Sequence, residues 1–314
     1  MKAIQITKFG GPEVMEYVEL ADPTPNSNEV LLDVTAIGIN YADTHQTENS
    51  YLSPQTLPFV PGLEVTGTVD GKRYLAAVSG GYAQKTVANK QMLFPIPNEV
   101  SDQQALCMLV QGATAWHILK TVGHLKAGES VVIHAAVGGV GSLAIQLAKL
   151  WGGKVIAVTS SDEKKKLAKE LGADEVIDAD TETLKSEILR ANGGKPVDLV
   201  LEMVGGKTTD ISLEVLAPFG RMIVYGAASR SAAQVIHPTS LMGGSKTVTG
   251  FWLAHCFGSK ELLNDVIAEL FALVAAGKLK PIVGSTFALS QAADAHRAML
   301  ARKTVGKIAL DPAN

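Results

Sequence analysis

The run from Ser130 to Ala148 constrains the fold more than any other stretch. Ser130-Val131-Val132-Ile133-His134-Ala135 is apolar enough for a buried strand, Ala136-Val137-Gly138-Gly139-Val140-Gly141 is a turn of small residues, and Ser142 to Ala148 has the apolar spacing of a helix. That order suits a dinucleotide pyrophosphate: small residues let backbone amides approach the phosphates, and the helix N-terminus stabilises their charge. Ala136, Gly138 and Gly141 take the three small positions, with Gly139 and Val140 among them. An ordinary strand-to-helix turn has the same pattern, so the surroundings must decide between the two.

Those surroundings favour the cradle. Beyond Gly112, apolar strands (Val131–Ala135, Lys154–Val158, Glu175–Ile177, Val197–Met203, Arg221–Tyr225) alternate with helical patterns (Val140–Trp151, Asp162–Leu171, and a stretch through Val215). Such alternation predicts a doubly wound parallel sheet with right-handed crossovers. Before Gln111 the texture differs. Short strand candidates at Val30–Ile37, Leu63–Val69 and Tyr82–Val87 are separated by prolines at 23, 25, 54, 58, 61, 95 and 97, which break helices and favour a loop-rich β domain. After Phe251 come an amphipathic helix around Glu261–Ala276 and a tail, Gly284–Leu310, read as strand, helix and strand. The expected division is 1–112, 113–255 and 256–314, the last segment being one that could return to the first.

The second strand of the α/β unit ends at Thr159-Ser160-Ser161, where a site preferring NAD would place Asp or Glu to accept the ribose 2′-hydroxyl. Hydroxyls there, with Lys164 a helical turn later, suit a 2′-phosphate, since they supply donors and positive charge where a carboxylate would repel it. NADPH is the expected cofactor. Ser160 and Glu163 also have capping-box spacing and Lys164 that of a solvated helix residue, roles that can coexist with phosphate binding.

Composition excludes several other classes. Hydrophobic residues make up 46% of the 314 and charged residues 19%, which is ample for a packed core. A net charge of −3 with no long basic run gives nucleic acid or an anionic membrane no broad attraction. No apolar run is long enough to span a bilayer, and the N-terminus enters a strand pattern directly without the features of a signal peptide, so a cytoplasmic protein is expected. Cys107 and Cys256 are far apart in apolar surroundings, which predicts buried thiols and neither a disulfide framework nor a Cys-rich zinc site. The seven histidines are scattered without metal-ligand spacing. His134, inside an apolar strand, reads as a core residue.

With these residues in view, the chain resembles zinc-independent medium-chain dehydrogenases/reductases of the quinone oxidoreductase (zeta-crystallin-like) branch over nearly its whole length. The resemblance rests on Gly38-Ile39-Asn40-Tyr41-Ala42-Asp43, Pro61-Gly62-Leu63-Glu64-Val65-Thr66-Gly67, Gln111-Gly112-Ala113-Thr114-Ala115, the cradle through Gly141, and Leu171-Gly172-Ala173-Asp174. It implies an α/β protein, with a GroES-like β-rich catalytic domain, a Rossmann domain and the cofactor in the cleft between them. It also implies roles: Asn40 and Thr114 near the nicotinamide, Gly138, Gly139 and Val140 at the pyrophosphate, and Ser160 with Lys164, flanked by Ser161, at the 2′-phosphate. Tyr225-Gly226-Ala227 and Phe251-Trp252 match segments lining the nicotinamide pocket, and Arg302 matches a tail arginine near the 2′-phosphate.

Zinc-dependent relatives carry Cys where this chain has Asn40 and His where it has Leu63. A neutral amide and an alkyl side chain cannot replace that pair, so no metal is expected. Without that Lewis acid, alcohol dehydrogenation gives way to hydride transfer from NADPH to a small quinone or α,β-unsaturated carbonyl. Tyr41 and Tyr51 are candidate donors to the developing enolate or quinol oxygen. Two departures stand out: Ala179 replaces a tyrosine found near the adenosine phosphate in some quinone reductases, and Val65–Tyr74 is shorter than usual. An enoyl-thioester reductase and an NADPH-binding protein with little turnover are the alternatives, and a homodimer built by sheet continuation is expected.

Overall fold

Proline and glycine cut the N-terminal region into short elements. Strand β1 (Lys2–Ile6) pairs antiparallel with β2 (Met15–Glu19), and β3 (Glu29–Ile39) runs into helix α1 (Tyr41–Thr47). Strands β4 (Glu64–Val69) and β5 (Lys72–Ala77) form a hairpin whose connection is only Asp70-Gly71, both at positive φ. Two consecutive positive φ values match the strand twist, which is why Asp-Gly closes hairpins and how the shortened stretch after Val65 is accommodated. Strands β6 (Lys85–Asn89) and β7 (Leu93–Pro95) follow. The strand expected from Tyr82 begins only at Lys85. Tyr82–Gln84 instead exchange backbone hydrogen bonds with β1, Ile4 N–H donating to Tyr82 O and Gln84 N–H to Lys2 O.

This computed structural model describes residues 1–313. Helix α2 (Asp102–Leu106) is absent from the sequence reading although Ser101 and Gln104 form its reciprocal capping box. A π-helical turn (Met108–Gly112) leads into α3 (Ala113–Trp116) and a second π-helical turn (His117–Thr121).

The α/β unit follows as β8 (Ser130–Ile133), α4 (Gly139–Leu150), β9 (Lys154–Thr159), α5 (Asp162–Glu170), β10 (Glu175–Asp178), α6 (Leu184–Ala191), β11 (Val197–Glu202), α7 (Lys207–Glu214), β12 (Leu216–Val224) and β13 (Thr247–Gly250). All five pairings are parallel, in the order β10-β9-β8-β11-β12-β13. The sheet is doubly wound, with its order reversing between β8 and β11. All four β8 residues are buried, as a strand covered on both faces requires, and Val132, Ile156, Val158, Val200 and Met222 share one apolar cluster.

The chain ends with a π-helical turn (Lys260–Asn264) leading into α8 (Asp265–Ala275), then β14 (Val283–Ala288), α9 (Ala292–Leu300) and β15 (Lys307–Asp311). Strand β15 pairs antiparallel with β3, so two C-terminal strands extend the first sheet, whose order is β14-β15-β3-β4-β5-β7 with β6 also on β3. Two units result: Met1–Ala113 with Cys256–Asn314, and Thr114–His255. Ile4, Ile6, Leu32, Ile37, Val65, Tyr82, Leu289 and Leu310 belong to the core of the first.

Candidate active site

In the α/β unit the expected cofactor residues gather at the carboxyl ends of the strands. Ala135, after β8, takes positive φ, Gly138 is the extended N-cap of α4, and no side chain caps that helix. The first amides of α4 have no acceptor one turn back, which together with the helix dipole makes an anion site. Gly141 must be glycine for packing, since a Cβ there would stand 2.6 Å from Ala135 O and 2.8 Å from Ala136 C. At Gly138 a Cβ would meet only Ala135 O, at 3.2 Å. Gly138 therefore borders open space, as a pyrophosphate needs, so this cradle fits the group that the sequence implies.

At the end of β9, Ser160 is exposed, and Ser161 is the α5 N-cap, its Oγ accepting from Lys164 N–H at 3.3 Å. The cap is thus Ser161 where the spacing suggested Ser160. Lys164 is half-buried in the first turn of α5. Tyr225-Gly226-Ala227 follow β12, and Phe251 follows β13, its N–H donating to Val224 O at 2.9 Å. Burial and the nearby Glu202 push the Tyr225 phenol above its ordinary range. Phe251 stacks on His117, Trp252 meets His255 edge-on, and Thr114 is buried in α3.

In the other unit, Asn40 follows β3 as the N-cap of α1. Its Nδ2 donates to Glu64 Oε1 at 2.8 Å, its Oδ1 accepts from Lys307 Nζ at 2.8 Å, and its backbone N–H donates to Asp43 Oδ2 at 2.9 Å. Lys307 also pairs with Glu64 Oε1, and Glu64 Oε2 accepts from Val110 N–H at 2.9 Å. Glu64 and Lys307 are 0% and 1% exposed, so the pair is wholly desolvated. Sequence reading missed both. Glu64 was visible beside Leu63, but Lys307 lies 267 residues from Asn40 and no local pattern links them.

Behind Asn40, Tyr82 OH donates to Asp43 Oδ2 at 2.9 Å and lies 2.9 Å from His296 Nε2. Burial pushes the Asp43 carboxyl up to about 7, against the Asn40 and Tyr82 hydrogen bonds, and pushes His296 down to about 4. His134 is a buried core residue bonded to Ser212 Oγ at 2.9 Å, and burial holds it down to about 4.

Tyr41 and Tyr51 are half-buried, and His45 lies between them, its ring 5.7 Å from Tyr41 and stacked 6.4 Å from Tyr51. The i, i+4 spacing on α1 would have revealed the first contact. Arg302 is exposed, at positive φ just after α9.

Zinc does not fit the donors around Asn40. Among the described residues no thiolate or imidazole is bonded to that amide, and its oxygen and the Glu64 carboxylate already take the Lys307 ammonium. Among the described residues no three His, Cys, Asp or Glu side chains are grouped to hold a metal ion.

A model of the alcohol dehydrogenase GroES-like domain matches residues 26–74, and a zinc-binding dehydrogenase model matches residues 139–272. The quinone oxidoreductase of Pseudomonas aeruginosa is 34% identical over 99% of both chains. The chain belongs to the quinone oxidoreductase family. Two solved members, the Thermus thermophilus quinone oxidoreductase, also determined with NADPH, and the Escherichia coli quinone oxidoreductase complexed with NADPH, have TM-scores of 0.89 and 0.93. They are 36% and 31% identical, each comparison covering 99% of this chain and 100% of the other. The parallel sheet and the β-rich unit are the Rossmann and GroES-like folds of this quinone oxidoreductase family.

Proposed function

We propose that this chain is an NADPH-dependent reductase that transfers hydride to a quinone or an α,β-unsaturated carbonyl without zinc. Full-length similarity to quinone oxidoreductases, including two whose structures were solved with NADPH, carries the reading. The cradle at Ala136–Gly141, with Gly138 open in front of α4, supports it.

NADPH when bound supplies the hydride, and the chain's residues hold and orient it. Gly138, Gly139 and Val140 would receive the pyrophosphate, with Ala136 and Gly141 keeping strand and helix close. Ser160, Ser161, Lys164 and Arg302 would receive the 2′-phosphate. Thr114, Asn40, Tyr225-Gly226-Ala227 and Phe251-Trp252 are assigned to the nicotinamide end. Tyr41 and Tyr51 are assigned as donors to the oxygen on which charge develops, a role from which full activity in both Tyr→Phe variants would remove them. The donor set around Asn40 supports chemistry without a Lewis acid.

Rapid mixing of the NADPH-loaded protein with quinones and enones tests the activity. Absorbance loss from the bound cofactor is expected, and its absence with every acceptor would leave only a binding protein. Faster reaction with enoyl thioesters would instead favour the thioester alternative. Lys164→Ala tests the cofactor: NADPH affinity should fall about tenfold, as for loss of one charge-assisted phosphate contact, with NADH affinity unchanged. Equal NADPH and NADH affinities in the unaltered protein would overturn the choice.

Homodimerisation through β13 and a cytoplasmic location complete the proposal. β13 pairs only with β12 among the described residues, leaving one edge open, and the two cysteines are free buried thiols. No helix is long and apolar enough to cross a membrane among the described residues.

A further inference from the structure

Asn40 can serve a nicotinamide only if its amide faces one way, and two buried charged side chains bear on that orientation. Rotating the amide by half a turn would set its NH2 against the Lys307 ammonium and its oxygen against the Glu64 carboxylate. Both contacts would change from attractive to repulsive where no water screens them. The observed orientation is therefore dictated by charge. It leaves one N–H of Nδ2 uncommitted to Glu64.

The sequence accommodates the pair at a second place. Gly38 in β3 lies opposite Glu64 in β4, and a Cβ at Gly38 would stand 2.7 Å from Glu64 Cγ and 2.8 Å from both Glu64 Oε1 and Lys307 Cε. The three strands β3, β4 and β15 thus meet where a side chain at Gly38 would have to displace Glu64 and Lys307, and the space is filled by the ion pair. The Val110 amide fixes the other oxygen of Glu64.

We infer that Lys307 is a positioning residue for hydride transfer: its ammonium, held by Glu64, locks the Asn40 amide in the orientation that meets the nicotinamide end of the cofactor. The inference rests on the assignment of Asn40 to that end. Lys307 touches neither cofactor nor substrate in this role and acts through Asn40 alone.

Lys307→Met by itself would strand a buried carboxylate and endanger folding, so the test uses Glu64→Gln/Lys307→Met, which removes both charges together and nearly keeps the volume. NADPH dissociation constant, emission of the bound nicotinamide, and kcat and KM with p-benzoquinone would be measured for four proteins. These are the unaltered chain, the double variant, Asn40→Ala, and the triple combination. The double variant should lose kcat by roughly 10- to 100-fold, the scale of a misplaced reacting group. Its NADPH dissociation constant should move by less than about threefold, because the phosphates are held at the α4 N-terminus. On the Asn40→Ala background the same two substitutions should cost nothing further in kcat and leave the nicotinamide emission unchanged.

Unchanged kcat and emission in the double variant would overturn the inference. So would a loss of equal factor with and without Asn40, which would mean that the pair acts only on the fold. If the unaltered chain binds NADPH but reduces no acceptor, the proposed activity fails while the emission still decides the role of Lys307. If it binds no NADPH, both fall.

Discussion

At Gly38 the missing side chain is as informative as any that is present. Gly38→Ala should force the buried Glu64 and Lys307 side chains apart and cost about 1–3 kcal/mol, the usual penalty for overpacking. The midpoint of urea unfolding would report it, and an unchanged midpoint would mean that the pair can shift. Asp43 allows a pH prediction. Its carboxyl is pushed up to about 7 in the folded protein, whereas an unfolded aspartate titrates near 3.8. Between those values the folded chain holds the extra proton, so the contribution of Asp43 is complete below about 3.8 and is lost as pH rises through about 7. Asp43→Asn should therefore gain stability relative to the unaltered chain as pH rises from about 4.5 to about 7.5, as proton linkage requires. Comparing both proteins removes the opposing effect of His134, whose depressed value makes stability fall as acid is added between about 6.5 and 4. A constant difference between the two proteins across that range would place the Asp43 titration elsewhere. Residues such as Asn40 were legible as members of a local motif, but Lys307 was not: a lysine near a C-terminus is ordinarily a solvated one, and only strand pairing buries it.

The N-terminal turn of α4 separates two jobs that the glycine motif merges. Gly141→Ala drives a methyl into the Ala135-Ala136 backbone, so both unfolding midpoint and NADPH affinity should drop, by about 1–3 kcal/mol in stability. Gly138→Ala meets one carbonyl at 3.2 Å and otherwise points to open space, so NADPH affinity should fall while the unfolding midpoint changes little. Equal losses of stability in both variants would show that Gly138 is also a packing glycine. Elements with strong local signatures were readable. The alternation around β8 to β12 follows from runs of buried apolar residues, and the cradle follows from its small residues. Helix α2 and the Asp70-Gly71 hairpin had signatures too, a capping box and a turn dipeptide. The segment at Tyr82–Gln84 departed from its reading for a tertiary reason, since it bridges to β1 before joining β3.

For the whole molecule, the proposed dimer gives a prediction about mass. If β13 continues its sheet into a second copy, sedimentation should show twice the 33.0 kDa of one chain. Thr249→Lys, placing charge on that edge, should shift the population towards monomer. A monomer at all concentrations would remove the proposal. The local order of residues by itself determined that this chain has a parallel α/β unit with a glycine-rich strand-to-helix turn, and that position 40 offers an amide instead of a thiolate. Hydrophobic periodicity, small residues at a turn and the donor atoms of a side chain are properties of neighbours in sequence. Only the tertiary structure decided that the last strand, β15, returns beside β3 and delivers Lys307 to Asn40 and Glu64. That contact spans almost the entire chain. Its electrostatics depend on excluding water from all three groups at once, which no segment can do before the sheet is assembled.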